Sequence, residues 1–191
     1  MVHGRGALAE SILGLLSELE SDGLHVVAPQ AHDNTWYPYS FLEEVSSNEP
    51  YMSSALATLD SIVAGLVRDG IPTERICFLG FSQGACLASE FVALRPAGYG
   101  GLFALSGGLI GPPGTPRTYS GSLDGTTAFF GCSDQDIHIP QERVTESADT
   151  YTRMGASVTC RLYPGMGHRV NQDEIEFMNQ TLRRVGRDRS A

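Results

Sequence analysis

The segment ICFLGFSQGAC, residues 76–86, constrains the fold more than any other part of the sequence. Its first half is an apolar run typical of a buried strand. The residues at 83–94 are apolar on nearly every side, as expected of a helix that packs against a sheet. Between strand and helix stands one serine, Ser82, flanked by Gly80 and Gly84. A buried strand that turns directly into a buried helix is typical of a parallel sheet.

Strand-like and helix-like segments alternate along the whole chain. Short apolar segments with strand character lie at 24–29, 75–80, 99–107, 126–131 and 158–165. Apolar residues recur with a helical period at 7–21, 52–67, 144–154 and 175–185. This order predicts an α/β fold, with a mainly parallel sheet and helices on both faces. The chain has 191 residues, which suits one domain over residues 1–191.

Composition and charge exclude several classes of function. The formal net charge is −9 and the sequence has no basic cluster, which argues against a nucleic-acid partner. No apolar run approaches the ~20 residues of a membrane span. The four cysteines form no CxxC pair and the five histidines have no metal-ligand spacing, so we expect no metal site. The first ten residues, MVHGRGALAE, lack the order of a signal peptide, which predicts a cytoplasmic protein.

Ser82 is the candidate nucleophile. Residues 80–84 fit G-x-S-x-G, the turn that projects a serine over the carboxyl end of a strand. The glycines remove Cβ atoms that would collide with the neighbouring strand and helix, and the helix that follows favours negative charge at its start. The alternative is that Ser82 only caps this helix.

A serine nucleophile needs a base and an acid that orients the base. His168 follows the last predicted strand in the loop YPGMGH, which fits the Ser, acid, His order of such folds; His138 is the competing base. Asp134 and Asp136 both follow the strand TTAFFG. From the residues alone, either carboxylate could orient the base.

The tetrahedral intermediate of acyl transfer also needs hydrogen-bond donors for its oxyanion. We expect one from the backbone N–H of Gln83, the residue after the nucleophile. For the second we assign the N–H of Arg5, in the short Gly-containing loop at 3–6. Such a loop before a helix could alternatively bind phosphate.

Five motifs together resemble the phospholipase/carboxylesterase family of α/β-hydrolases, which includes the acyl-protein thioesterases. They are HGRG at 3–6, LGFSQGA at 79–85, LSGGLI at 105–110, GCSD at 131–134 and PGMGH at 164–168. The resemblance implies a catalytic triad of Ser82, Asp134 and His168, with Asp134 three residues after the strand-ending glycine. The family often has D-P-x-x-P at this place, and Asp136 stands four residues before Pro140.

The resemblance also implies a substrate pocket and a reaction. It places Trp36, Tyr37 and Leu109 at the pocket, with Tyr39 and Phe41 as further aromatic walls; packing of the loop is the alternative role for these rings. We expect a serine esterase that acts on small acyl or aryl esters, needs no cofactor and takes a small-molecule substrate. The alternatives are an acyl-protein thioesterase or lysophospholipase, and a non-catalytic binding protein of the same fold. A homodimer is left open.

The resemblance further implies a strand directly before the HGRG loop. Only Met1 and Val2 precede the loop in this sequence, so we expect the N-terminal strand to be largely missing and the true start to lie upstream.

Overall fold

A computed structural model describes residues 1–187. Residues 188–191, which the single-domain prediction includes, lie outside the described part. The described residues form a four-stranded parallel sheet in the order β1-β2-β3-β4. Its strands are β1 (Cys77–Phe81), β2 (Gly101–Leu105), β3 (Thr127–Ser133) and β4 (Ser157–Tyr163). The predicted α/β fold with a parallel sheet is therefore confirmed.

Helices cover both faces of this sheet. They are α1 (Ala9–Leu13), α2 (Tyr51–Arg68), α3 (Gln83–Leu94), α4 (Gln141–Arg153) and α5 (Gln172–Arg187). Side chains from α1 and α5 share one apolar cluster, and those from α2, α3 and α4 share the other. Neighbouring strand residues divide between the clusters, as the pleat requires. Phe78 and Phe130 belong to the cluster of α2, α3 and α4, whereas Leu79 and Phe129 belong to that of α1 and α5.

Two predicted elements differ from the structure. The helix expected over 7–21 ends at Leu13 and continues only as a 3₁₀ turn, Gly14–Ser17, because glycine is a poor helix former. The strand expected over 24–29 is wrong, since this segment forms no strand and leaves Val26 and Val27 37% and 41% exposed. Its backbone contact with the N-terminal residues is a hydrogen bond from the Met1 amino group to the Val27 carbonyl at 2.6 Å.

The N-terminal residues occupy the free edge of β1. Val2 forms a parallel bridge with Gly80, donating its N–H to the Leu79 carbonyl at 2.8 Å and accepting from Phe81 N–H at 3.2 Å. A single bridge of this kind does not extend into a strand, but it fixes the loop that follows it.

Gly84 makes this approach possible. A Cβ there would lie 2.1 Å from the Val2 carbonyl oxygen, so we expect Gly84→Ala to push the N-terminal segment off β1 and to destabilise the protein by about 1–3 kcal/mol. Gly65→Ala in α2 is the control: its Cβ would lie 3.8 Å from the nearest atom, and alanine favours the helix by about 0.5–1 kcal/mol. Thermal unfolding measures both, and equal melting temperatures of the two variants would contradict this account.

None of the helices within residues 1–187 has the length and apolar composition of a membrane span. A cytoplasmic location and a homodimer stay predictions.

Candidate active site

Ser82 lies in the turn between β1 and α3. Its backbone has φ 55° and ψ −122°, a strained conformation for a residue other than glycine. The turn is tight, because a Cβ on Gly80 would lie 2.4 Å from the Gly84 carbonyl oxygen. Ser82 occupies the N-cap position of α3, yet its side chain makes no capping hydrogen bond there. The capping interpretation therefore fails, and the hydroxyl is available for chemistry.

His168 is held by a carboxylate two residues beyond the predicted one. Its Nδ1 lies 2.7 Å from Asp136 Oδ2, and the Asp136 side chain is fully enclosed. The other carboxylate oxygen accepts from the backbone N–H groups of His138 at 2.9 Å and Ile139 at 3.1 Å. Burial alone raises the pKa of Asp136, but the His168 contact and these backbone donors outweigh it, so the pKa lies below its usual value. The carboxylate thus stays charged beside the imidazole.

Asp134, the predicted partner of His168, has a different neighbour. Its N–H continues the sheet by donating to the Tyr163 carbonyl at 3.2 Å, and its Oδ1 accepts from Gly165 N–H at 2.8 Å. The prediction that Asp134 orients His168 is therefore wrong. The reason is that β3 continues two residues past Gly131. Asp134 therefore lies directly at the carboxyl end of the strand, and only the turn that follows reaches His168.

The loop that carries His168 is braced from both sides. Gly165 and Gly167 have positive φ values of 61° and 75°. Gly167 donates its N–H to Ser133 Oγ at the end of β3 at 3.0 Å, and Gly165 donates to Asp134 just after that strand. The His168 ring lies between Phe81, with ring centroids 4.8 Å apart, and His138, at 4.9 Å. His138, the competing base, therefore neighbours His168, but the carboxylate contact belongs to His168.

Glu174, which the sequence analysis missed, anchors the other end of this loop. It is fully buried at the start of α5, where Asn171 N–H donates to its Oε2 at 2.9 Å and its own N–H donates to Asn171 Oδ1 at 3.0 Å. This reciprocal pair is a capping box. The N-x-x-E spacing at 171–174 is the sequence signal that could have identified it.

Glu174 should make stability depend on pH. Burial raises the pKa of Glu174 from 4.5 to about 7, so its contribution to stability is full below pH 4.5 and is lost as the pH rises through 7. Glu174→Gln removes the charge, and between pH 5 and 8 wild type should lose up to about 3 kcal/mol of stability relative to the variant. Urea unfolding at both pH values measures this; the same pH dependence in both proteins would contradict it.

The HGRG loop lies directly against Ser82. A Cβ on Gly4 would be 3.3 Å from Ser82 Cβ. His3 fixes the loop from within the core: its Nδ1 lies 2.8 Å from the Gly4 carbonyl, and its Nε2 accepts from Ala31 N–H at 3.0 Å. In the described part of the chain, the backbone N–H groups of Arg5 and Gln83 have no hydrogen-bond partner. Two free donors thus border the serine.

The side chains of these two donor residues hold a common loop, at 35–39. The Arg5 guanidinium donates to three successive carbonyls, those of Tyr37 at 3.0 Å, Pro38 at 2.8 Å and Tyr39 at 2.6 Å. The Gln83 side-chain amide accepts from the backbone N–H of Trp36 at 3.0 Å and donates to the Tyr37 carbonyl at 2.8 Å. Sequence reasoning missed both roles, because they depend on side-chain paths across loops far apart in the chain.

A cavity of about 540 Å³ opens above Ser82. Its lining includes Ser82, His168 and His138, residues of the HGRG loop, and Tyr37, Tyr39, Phe41, Phe81, Cys86 and Ile139. Three of the predicted aromatic walls are therefore present.

Two predicted pocket residues are not part of this lining. Trp36 is buried beneath the HGRG loop, where its indole N–H donates to the His3 carbonyl at 2.9 Å and its ring packs on the His3 imidazole. Leu109 is fully buried, with its N–H bound to Ser147 Oγ at 2.8 Å and its carbonyl to Arg143. Both side chains pack the scaffold behind the cavity.

The described residues contain no group of three or more His, Cys, Asp or Glu side chains that could hold a metal ion. The arrangement offers a serine, an imidazole bound to a carboxylate, and two free backbone donors. This set is suited to nucleophilic acyl transfer.

Relatives share this chain's fold and sequence pattern. A crystal structure of a phospholipase/carboxylesterase from Dyadobacter fermentans is 42% identical, has a TM-score of 0.92 and matches 95% of this chain and 87% of that one. The Kluyveromyces lactis acyl-protein thioesterase 1 is 29% identical over 146 residues, 69% of this chain and 61% of that protein. A probable SOBER1-like carboxylesterase of Arabidopsis thaliana is 25% identical over 149 residues, which are 71% of this chain and 52% of that protein. This chain thus spans about half to three fifths of the length of these two relatives.

The sequence profile of one family, phospholipase/carboxylesterase, matches residues 3–185, nearly the whole chain. The matched range contains the turn at Ser82, the HGRG loop and the His168 loop. The chain therefore belongs to the phospholipase/carboxylesterase family.

Proposed function

We propose that this protein is a serine carboxylesterase that uses Ser82, His168 and Asp136. The observation that carries the proposal is the pairing of His168 with the buried Asp136 at a cavity that Ser82 also lines. Membership of a family whose named relatives are esterases and thioesterases supports the same reaction class.

The reaction proceeds through an acyl-enzyme. Ser82 Oγ attacks the acyl carbon while His168 takes its proton, and Asp136 stabilises the imidazolium that forms. The N–H groups of Arg5 and Gln83 donate to the oxyanion. His168 then protonates the departing alcohol. Water, activated by the same imidazole, attacks the acyl-enzyme and releases the carboxylic acid.

The cavity favours small acyl groups. Its walls are mainly aromatic and apolar, and two of the lining residues, Tyr37 and Cys86, are only 1% and 0% exposed. Arg5 and Gln83 hold the wall at 35–39 in place, so elongation of the cavity would require breaking their hydrogen bonds. We infer a preference for short acyl or small aromatic esters.

A series of 4-nitrophenyl esters from acetate to palmitate tests this function. We expect the highest kcat/KM at two to six acyl carbons, roughly, and a fall at longer chains, because the aromatic walls and the hydrogen-bonded 35–39 segment favour compact acyl groups. A maximum at long chains would favour the acyl-protein thioesterase or lysophospholipase alternative, which the names of the relatives also support. No Ser82-dependent turnover of any ester would favour a binding protein.

A further inference from the structure

The thiol of Cys132 contacts the carboxylate that orients His168. Cys132 is fully buried near the carboxyl end of β3. Its Sγ lies 3.6 Å from Asp136 Oδ2, the same oxygen that His168 Nδ1 contacts at 2.7 Å. The proposed mechanism gives this thiol no role, and the lining of the cavity does not include it.

Cys132 is the hydrogen-bond donor in this contact. Burial raises the pKa of its thiol to about 12, and the charges of Asp136 and Glu174 act in the same direction. The pKa of Asp136 lies below its usual value, so at neutral pH a protonated thiol faces an ionised carboxylate. An ionised carboxylate can only accept. The S–H bond therefore directs its positive end at Oδ2.

Ser106 is the other polar neighbour of this thiol. It is fully buried directly after β2, and its Oγ makes no hydrogen bond to any other group within residues 1–187. Ser106 lowers the pKa of the Cys132 thiol, so its hydroxyl presents the proton and not the lone pairs to the sulfur. Ser106 thus does not compete with Asp136 for the thiol proton.

The thiol completes the set of donors around the Asp136 carboxylate. An ionised carboxylate has about four acceptor positions, two on each oxygen. Oδ1 accepts from the backbone N–H groups of His138 and Ile139, and Oδ2 accepts from His168 and from the Cys132 thiol. The Asp136 side chain is fully enclosed, so bulk water does not reach Oδ2. Without the thiol, His168 alone would hold this oxygen.

We propose that Cys132 is a positioning residue of the active site, whose S–H fixes Asp136 Oδ2 against His168 Nδ1 and moderates the attraction of the carboxylate for the imidazolium. This inference rests on the proposed esterase function and adds a residue to its machinery. A thiol suits the role because it is a weak donor, which holds the oxygen without displacing the imidazole. Since the positive end of the S–H dipole opposes the carboxylate charge, its loss should stabilise the imidazolium.

Cys132→Ala and Cys132→Val test the proposal together. Alanine is smaller than cysteine and valine is larger, so the two variants disturb packing in opposite directions and share the loss of the S–H. With 4-nitrophenyl butyrate we expect kcat to fall roughly two- to tenfold in both, and KM to stay unchanged because Cys132 does not line the cavity. The midpoint of the acid limb of the kcat/KM pH profile, which reports the free enzyme, should rise in both by a few tenths of a pH unit.

Cys77→Ala is the matched control. Cys77 begins β1, at the end of that strand remote from Ser82, and burial raises the pKa of its thiol to about 12 as well. Its removal should leave the midpoint unchanged. A midpoint equal to that of wild type in a folded Cys132 variant would overturn the proposal, because altered packing alone does not change the charge at the imidazole. Opposite shifts in the two variants, following side-chain volume, would also overturn it.

Infrared spectroscopy of the S–H stretching region tests the contact without any change at Cys132. We expect the difference spectrum between wild type and Asp136→Asn to show one S–H band that moves to higher frequency in the variant, because the thiol loses its charged acceptor. A flat difference spectrum would overturn the proposal even if neither Cys132 variant folded. Ser82-dependent turnover by wild type would keep the proposed function intact in each of these cases. Its absence would overturn that function and this inference together.

Discussion

Ser82→Ala is expected to abolish ester hydrolysis while leaving the protein folded. The hydroxyl supplies the electron pair that forms the acyl-enzyme, and its removal should lower kcat by roughly 10⁴–10⁶-fold. The fold should survive because Ser82 makes no side-chain capping bond and alanine leaves no large cavity. Turnover of 4-nitrophenyl butyrate and the thermal melting curve measure the two expectations separately.

The two histidines at the cavity provide the comparison. His168→Ala should lose about as much activity as Ser82→Ala, because members of a triad act as a unit. His138→Ala should lose little, since its ring is not the one bound to the carboxylate of Asp136. Retained turnover in a folded Ser82→Ala preparation would show that Ser82 is not the nucleophile. A complete loss of activity in His138→Ala would indicate that His138, and not His168, is the base.

Asp136→Asn is expected to lower kcat by roughly 10⁴-fold with little change in the fold. The asparagine amide cannot hold the His168 tautomer whose Nδ1 carries the proton, nor stabilise the imidazolium. Nε2 would then lack the free electron pair that takes the proton from Ser82.

Asp134→Asn is the matched control, two residues away and with the same change in charge. The amide oxygen of asparagine can still accept from Gly165 N–H, so the His168 loop should keep its position and activity should fall less than tenfold. The kcat values of the two variants decide the matter. A larger loss in Asp134→Asn would restore the original assignment from the family motif.

The sequence predicts the part of the site that depends on local backbone chemistry. Gly80, Ser82 and Gly84 identify the turn, because only small neighbours permit so close an approach of strand and helix. The two glycines before His168 likewise indicate a tight turn, and both have positive φ values in the structure. Four of the five predicted strands are present. β1, β2 and β3 are apolar runs that are mostly buried, whereas β4 is an edge strand whose residues are half-buried or exposed.

The acid could not be assigned by counting residues from Gly131. The count depends on where β3 ends, and the strand is extended by pairing with β4, as far as Ser133 with Tyr163. A strand end that depends on a partner strand is not encoded locally. The D-x-x-x-P spacing of Asp136 and Pro140, which the sequence analysis noted beside its choice of Asp134, agrees with the carboxylate that contacts His168. Pro140 immediately precedes α4.

Aromatic and apolar character alone could not separate the cavity wall from the core behind it. Trp36 and Tyr37 are adjacent and both buried, yet only Tyr37 lines the cavity. Trp36 is directed beneath the HGRG loop by its bond to the His3 carbonyl, a contact between residues 33 positions apart. The failed strand over 24–29 has a similar cause, since a strand requires a neighbouring strand and none pairs with this segment among the described residues.

Labelling with a fluorophosphonate, followed by mass spectrometry of the digested protein, tests the central claim most directly. The reagent phosphonylates a serine only when a base activates it. Our account predicts one label per chain, on the peptide that contains Ser82, with no label in Ser82→Ala and much slower labelling in His168→Ala and Asp136→Asn. Labelling at another residue, or at Ser82 with an equal rate in all of these folded proteins except Ser82→Ala, would contradict the assignment of Ser82, His168 and Asp136 as one catalytic unit.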